Sequence, residues 1–312
     1  MRVSCLGKGG SGKTTIAGAL IRHISKNQRV LAIDADVNVN LHRALQIEKP
    51  HKTLGTMFSE LATHITQNRT DILSKNVVAT TPPSLKSTFL KPFDDSFITT
   101  VSVTHGNITL IDVGTYEKED VGHTCYHGKL NTLELLYHHL LDKEDEVVIA
   151  DATAGIDNLG TSLYFAYDVN FFVVEPTLQS IEVYKEFIEK RDDIKVYVIV
   201  NKVSSDEDIT FIKEHIPDDT IIATFSLSNH LKKHDQGKEG EFEFFCEQNS
   251  AQLEKIFTKI KETKKDWKTY YQILLTTHVQ NSIEWWDSYY GCKISEQNDP
   301  DFSYEKAFAQ WR

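Results

Sequence analysis

The sequence predicts an α/β fold: a doubly wound, mostly parallel sheet flanked by helices, with a helical extension at the C-terminal end. Three observations carry this. An apolar run from Arg2 to Leu6 enters the turn Lys8-Gly9-Gly10-Ser11-Gly12-Lys13-Thr14-Thr15 and leaves it in a helical pattern of Ile16, Ala19, Leu20 and Ile24. Two further aliphatic runs end on aspartate, at Asp34 and Asp151. Strand-like runs alternate with helical periodicities over residues 1–230, which implies parallel pairing through crossover helices.

The chain has 312 residues, enough for one large α/β domain with an appendage or for two domains. Hydrophobic residues make up 40% and charged residues 25%, ordinary for a globular protein. A net charge of −11 and a pI near 5.6 argue against non-specific nucleic-acid binding by an overall basic surface. Cys5, Cys125, Cys246 and Cys292 are scattered and do not read as a disulfide framework, so a reducing, cytoplasmic setting is expected. The first strand begins almost at once, so no signal peptide is expected. No apolar run approaches the roughly 20 residues of a membrane span.

The strand–glycine turn–helix context is what a phosphate-binding loop needs. Gly9, Gly10, Ser11, Gly12 and Thr15 offer backbone N–H groups that close around phosphate oxygens, and the helix N-terminus adds partial positive charge. Lys13 is placed to reach the β- and γ-phosphates of ATP, and the Thr14 hydroxyl to ligate Mg²⁺. The pattern Lys-Gly-Gly-x-Gly-Lys-Thr-Thr resembles the deviant Walker A motif of the MinD/ParA/ArsA-type P-loop ATPases (SIMIBI class). That family includes the septum-site and plasmid-partition ATPases, the arsenite-pump ATPase and the nitrogenase iron protein. The resemblance implies a homodimer in which the early lysine, Lys8, reaches the partner's nucleotide.

Residues 29–34 form a second buried strand ending on Asp34, followed by Ala35-Asp36-Val37-Asn38-Val39-Asn40-Leu41. A carboxylate just past a parallel strand lies on the ligand-binding face of such sheets. The spacing D-x-D-x-N-x-N-L resembles the switch I segment of the same family, and most closely the CooC-like accessory ATPases of carbon monoxide dehydrogenase. By that resemblance Asp36 orients the attacking water and Asp34 supports the Mg²⁺ shell; an N-cap for the helix near Leu41 is the bland alternative.

Residues 51–74 read as an amphipathic helix on Leu54, Phe58, Leu61 and Ile65, and residues 84–97 as loop or short helix. Thr99 to Val103 and Asn107 to Val113 flank a His105-Gly106 turn and predict a hairpin or adjacent strands. Next comes His123-Thr124-Cys125-Tyr126-His127 before a leucine-rich helix, Leu130 to Leu141. CooC-like ATPases carry Cys-x-Cys at the equivalent place, holding a metal across the dimer interface. Here the pair is Cys125-x-His127, with His123 in register if the segment is extended. Two copies then supply four to six N/S ligands for a tetrahedral Zn²⁺ or Ni²⁺ site. The alternative is a small buried cysteine beside ordinarily bonded histidines.

Glu146 to Asp151 is the clearest buried strand. Aliphatics ending in Asp, followed by Ala152-Thr153-Ala154-Gly155, read as Walker B and switch II: Asp151 holds Mg²⁺ through water, and the Gly155 N–H senses the γ-phosphate. Val169 to Glu175, Lys195 to Val200 and Ile221 to Phe225 are the remaining strands. The run Glu175-Pro176-Thr177-Leu178-Gln179-Ser180 again resembles the CooC type, and in the family the asparagine of Asn201-Lys202 contacts the adenine edge. The resulting division is 1–235, a P-loop ATPase domain, and 236–312, a helical extension packed on it. Within the extension, residues 249–290 read as helical, Trp285-Trp286 with Tyr289-Tyr290 read as packing onto the main domain, with a binding surface as the alternative, and the tail from Asn298 reads as irregular.

Together these features imply a Mg²⁺-dependent ATPase cycling as a nucleotide-switched homodimer. The role implied is metal insertion or metalloenzyme maturation, with a protein client, a metalloenzyme, as partner. The rival is a partition or positioning ATPase, a spatial switch on DNA or membrane. The acidic pI weighs against DNA, and only residues 302–312 offer a short amphipathic anchor. An iron-protein-like reductase needs two placed cysteines per subunit, and only Cys125 qualifies.

Overall fold

Runs of aliphatic residues with no polar alternation become strands buried on both faces, as parallel sheets require. The computed structural model describes residues 1–118, 125–155, 157–191 and 194–311. Among these, the strands are β1 (Arg2–Gly7), β2 (Val30–Asp34), β3 (Ser102–His105), β4 (Ile108–Asp112), β5 (Val147–Asp151), β6 (Val169–Val174), β7 (Val196–Val203) and β8 (Ile221–Ser226). They form one sheet in the order β3-β4-β2-β5-β1-β6-β7-β8. Only the β3–β4 edge hairpin, turning at Gly106, is antiparallel. β1 lies between β5 and β6, so the chain crosses it on passing from one to the other, and the crevice at the C-terminal strand ends opens there.

Helices cover both faces. On one side α1 (Lys13–Ser25), α2 (Leu41–Leu45), α10 (Glu241–Gln248) and α11 (Ser250–Glu262) share a core with the strands: Ile16, Leu20 and Ile24 meet Phe242, Phe245, Leu253 and Ile256 above Val3, Ile149 and Phe171. On the other side α3 (Phe58–Ile65), α4 (Ser96–Thr100), α5 (His127–His139) and α6 (Leu163–Ala166) enclose Leu31, Ile33, Val148 and Ala150. α7 (Leu178–Lys190) and α8 (Asp206–His215) cover the β6–β7 end. Several helices start where the sequence supplies a cap: Thr177 for α7, and a Ser205/Asp208 capping box for α8. α9 (Asn229–Asp235) follows β8.

The expected helix over 51–74 is confined to Phe58–Ile65, preceded by one 3₁₀ turn. Gly55 explains the late start of the helix. Its N–H donates to the Val113 carbonyl, and a Cβ there would come within 2.6 Å of both that oxygen and the Lys129 Cβ. This anchored approach replaces a continuous helix.

The C-terminal helices do not run through 249–290 unbroken. The chain leaves α11, crosses under the N-terminal end of the sheet at residues 263–266, and begins α12 (Trp267–Asn281) on the opposite face. A buried ion cluster clips this crossing. Lys265 Nζ lies 2.5 Å from Asp142 and 2.8 Å from Asp168, and Arg2 Nε lies 2.8 Å from Asp142. Burial alone pushes the Asp142 carboxyl up; Arg2 and Lys265 reverse this and hold it well below the usual carboxylate range. The Arg2 guanidinium is also ringed by Tyr137, Trp267 and Tyr270.

Beyond α12 a π-helical turn, Ser282–Trp286, leads into α13 (Asp287–Tyr290). Trp285 and Tyr289, one helical turn apart, are 67% and 76% exposed, so the expected packing of this aromatic cluster fails for that face; Trp286 and Tyr290, on the adjacent face, are partly covered. The tail is not irregular throughout: α14 (Tyr304–Gln310) buries Tyr304 and Ala307 against Leu141 beside Trp267.

Asp142→Ala should lower the unfolding free energy by about 3–5 kcal/mol, because it removes the carboxylate that Arg2 and Lys265 share and leaves the buried Arg2 without an ion-pair partner. Urea denaturation measures this, and a loss under about 1 kcal/mol would show that the clip contributes little.

Candidate nucleotide-binding site

The glycine turn sits where β1 meets α1, at the C-terminal ends of the central strands. Gly7 and Gly12 adopt φ of 141° and 99°, which favours glycine; a Cβ on Gly12 would also fall 2.1 Å from the Asn201 amide nitrogen. The turn is closed by Ser11 N–H to the Lys8 carbonyl (3.1 Å) and continues into α1 through Ile16 N–H to the Gly12 carbonyl (3.0 Å). Asn201, buried at the end of β7, donates its amide to the Ser11 carbonyl at 2.9 Å. A cavity of about 720 Å³ opens beside Thr14 and Thr15, lined further by Arg43, Leu231 and His234, and is large enough for a nucleoside. Another cleft, of about 830 Å³, lies between α3 and α4 around Met57, His64 and Phe97 and includes no residue of the turn.

Strand register sets the electrostatics. Asp34 is paired with Asp112 on one side and Asp151 on the other, so three buried aspartates end three neighbouring strands. Burial pushes Asp151 up to about 7 and Asp112 up to about 6, and burial together with Asp151 pushes Asp34 well above the usual carboxylate range. The Thr14 hydroxyl donates to Asp151 Oδ2 at 2.5 Å; Asp151 Oδ1 is buried with no hydrogen-bond partner among the described residues. Lys13, 5% exposed, holds its Nζ 3.7 Å from Asp36 Oδ2. The other Asp36 oxygen accepts the Asn38 backbone N–H at 3.0 Å and the Asn38 amide at 2.8 Å.

Asp34, expected to support a Mg²⁺ shell, is engaged by the backbone of its own loop. Its two oxygens accept the backbone N–H groups of Asp36 and Leu41, at 3.2 and 2.8 Å, and so fold the loop that carries Asp36. The Gly155 N–H donates to the Gly7 carbonyl at 3.0 Å. Tyr126 steadies the same loop by donating its hydroxyl to the Ala35 carbonyl at 3.0 Å.

Cys125 is exposed, and its Sγ lies 3.0 Å from His127 Nδ1. The two are brought together by a helical turn rather than an extended segment: Tyr126 is already helical (φ −57°, ψ −30°) and His127 opens α5. The far edge of the His127 ring lies against Gly160, where a Cβ would stand 2.9 Å from Nε2. His123 lies outside the described residues. Among the described residues, no group of three or more His, Cys, Asp or Glu side chains converges on a common ion position.

Sequence reasoning overlooked Lys202, Glu175 and Asp112. Lys202 Nζ donates to the Gly10 carbonyl at 2.5 Å and lies 3.0 Å from Glu175, which also meets Lys8 at 3.5 Å. The Asn-Lys pair was visible after its strand, but only the asparagine was given a task.

A model of the CobQ/CobB/MinD/ParA nucleotide binding domain matches residues 3–282. An uncharacterized ATP-binding protein of Methanocaldococcus jannaschii is 34% identical over 224 residues, covering 70% of this chain and 81% of that one. The carbon monoxide dehydrogenase accessory protein CooC of Rhodospirillum rubrum is 27% identical over 240 residues, covering 76% and 87%. Among solved structures, a putative plasmid partition protein from Borrelia burgdorferi bound to AMPPNP superposes with a TM-score of 0.53 at 17% identity, covering 83% of this chain and 98% of that one.

The raised Asp151 carboxyl has a testable consequence. Between pH 3.8 and about 7 the unfolded chain holds it ionised and the folded chain holds it protonated, so its contribution to stability falls as pH rises through that window. Asp151→Asn should therefore stabilise the protein at pH 8 in EDTA by on the order of 1–3 kcal/mol, with the gain vanishing near pH 4. Urea titrations at the two pH values decide; an equal gain at both would assign the effect to packing.

Proposed function

As the chain belongs to the CobQ/CobB/MinD/ParA nucleotide-binding family, we propose that it is a Mg²⁺-dependent ATPase that works as a nucleotide-switched homodimer. The observation that carries this reading is the buried Lys13 ammonium beside Asp36, one residue before a threonine hydroxyl bonded to Asp151. The residues present fit a divalent cation: Asp151 keeps one buried oxygen without a partner among the described residues, and Thr14 adds a neutral hydroxyl. When bound, Mg²⁺ supplies charge neutralisation at the β- and γ-phosphate oxygens.

The rest is the work of the chain. Backbone N–H groups of residues 9–15 cradle the phosphates, and Lys13 moves from Asp36 to the γ-phosphate. Asp36, fixed by Asn38, is then released to orient the attacking water for in-line displacement. The Gly155 N–H exchanges the Gly7 carbonyl for a γ-phosphate oxygen and so reports the nucleotide state to switch II. Asn201 reads the adenine edge, and Lys8 reaches the nucleotide of the partner subunit.

The similarity to CooC supports a metal-insertion or metalloenzyme-maturation role. The exposed Cys125 and the half-buried His127 at the start of α5 are a soft and a borderline donor that suit Zn²⁺ or Ni²⁺, and a second copy completes the set. The positioning alternative gains nothing from the tail, whose apolar residues Tyr304 and Ala307 are buried in the protein.

Lys13→Ala should weaken ATP binding by about 100-fold in calorimetry with Mg²⁺, the value of a lost charge-assisted contact. Lys8→Ala should bind ATP and yet lose hydrolysis and ATP-dependent dimerisation in light scattering. Wild-type protein that binds no ATP sinks the whole reading. For the metal, protein purified without chelator should carry up to about one Zn²⁺ or Ni²⁺ per dimer, lost in Cys125→Ala and His127→Ala. Elemental analysis showing metal-free dimers that take up neither ion would remove Cys125 and His127 from the functional site.

A further inference from the structure

Two lysines on the nucleotide face share one carboxylate. Glu175 follows β6, and its backbone N–H donates to the Ser180 hydroxyl in the first turn of α7 at 3.1 Å. Its side chain is 15% exposed. One oxygen lies 3.5 Å from Lys8 Nζ, the other 3.0 Å from Lys202 Nζ. Lys202 has φ of +61°, a left-handed conformation uncommon for a long side chain, and its ammonium is also bonded to the Gly10 carbonyl. Lys202 is therefore tied at two points, whereas the longer Lys8 contact is the easier one to release.

We propose that Glu175 is a positioning residue that retains Lys8 within its own protomer until a second copy docks, and that Lys202 keeps Glu175 paired when Lys8 leaves. This rests on the reading in which Lys8 acts across the dimer. Two lysines on one carboxylate leave a surplus positive charge, so the cluster favours losing one cation to an anionic acceptor, and the phosphates of the partner's nucleotide are such an acceptor. With Lys202 in place, the departure of Lys8 strands no partly buried carboxylate. Without Lys202 it would.

Partly exposed pairs of this kind are worth about a threefold factor each. A symmetric dimer opens two of them, so the effect on the dimer dissociation constant is squared, to about tenfold. The test is sedimentation of the full chain with Mg²⁺ and AMPPNP at fixed ionic strength. Glu175→Gln should tighten the dimer about tenfold, and Glu175→Asp, which keeps the charge, should stay near wild type. Lys202→Met should weaken the dimer, and Glu175→Gln/Lys202→Met should behave as Glu175→Gln, since no carboxylate remains to be stranded. If wild type dimerises in a Lys8-dependent way and Glu175→Gln leaves the constant unchanged, this proposal falls while the trans-lysine reading stands. If wild type stays monomeric with AMPPNP, both fall. If Lys202→Met weakens the dimer equally with and without Glu175, Lys202 acts through Gly10 and its assigned role is overturned.

Discussion

Three carboxylates that water does not reach, at the ends of β4, β2 and β5, are the constraint from which the site follows. Neighbouring strands stand about 4.8 Å apart, and acidic side chains at that spacing in a dry setting cannot all be ionised without compensation. The chain compensates unevenly. Asp34 is satisfied by two backbone N–H groups and so becomes architecture, folding the 36–41 loop. Asp151 has one hydroxyl and the field of Lys13, and one of its oxygens is still unmatched. Asp112 Oδ1 is likewise unmatched among the described residues. A row of this kind favours positive charge at the mouth of the glycine turn, which on the proposed reading a divalent cation would supply.

Holding such a row requires a rigid frame. The sheet supplies it by burying both faces, and α10 and α11 belong to that frame because Phe242, Phe245, Leu253, Ile256 and Ile260 complete the core over α1. Each such side chain contributes about 1.5–3 kcal/mol by burial, so the residues after β8 are part of what keeps α1, and with it Lys13 and Thr14, in place. The Lys265 clip then carries the chain to the other face, where α12 packs near α5, the helix that His127 opens.

The parts of the fold legible in the sequence were those with local signatures. The strands ended where aliphatic runs met Asp34 and Asp151, and the glycine turn announced its own geometry. Periodicity failed where other constraints overrode it: Gly55 pinned to Val113 delays the start of α3, and the pattern after α11 breaks at 263–266, where Lys265 is paired with Asp142 and the Asp266 side chain caps α12. The Lys8–Glu175–Lys202 cluster had no local signal, since Glu175 is 167 residues from Lys8 and each residue reads singly as a solvated charge. Trp285 and Trp286 were adjacent in sequence and hence on different sides of a helix, so one reading could not serve both.

The side chains assigned to ATP, and with them the Gly155 N–H, share one further property: each already has a partner inside the protein. Gly155 N–H is on the Gly7 carbonyl, the Asn201 amide on the Ser11 carbonyl, Lys13 on Asp36, Thr14 on Asp151, and Lys8 on Glu175. For these groups nucleotide binding on the proposed reading is an exchange of bonds, and an exchange yields only the difference between new and old partners. That lowers affinity relative to a site of unsatisfied donors. In return, a group can reach the nucleotide only by leaving its partner in the protein, and those partners tie the turn to β7, to switch II and to the Asp36 loop. A ligand shifts a conformational equilibrium only by interacting differently with the two states. A site built on exchange thus trades tight binding for coupling, which suits a switch whose output is the arrangement of two subunits better than it suits a store of nucleotide.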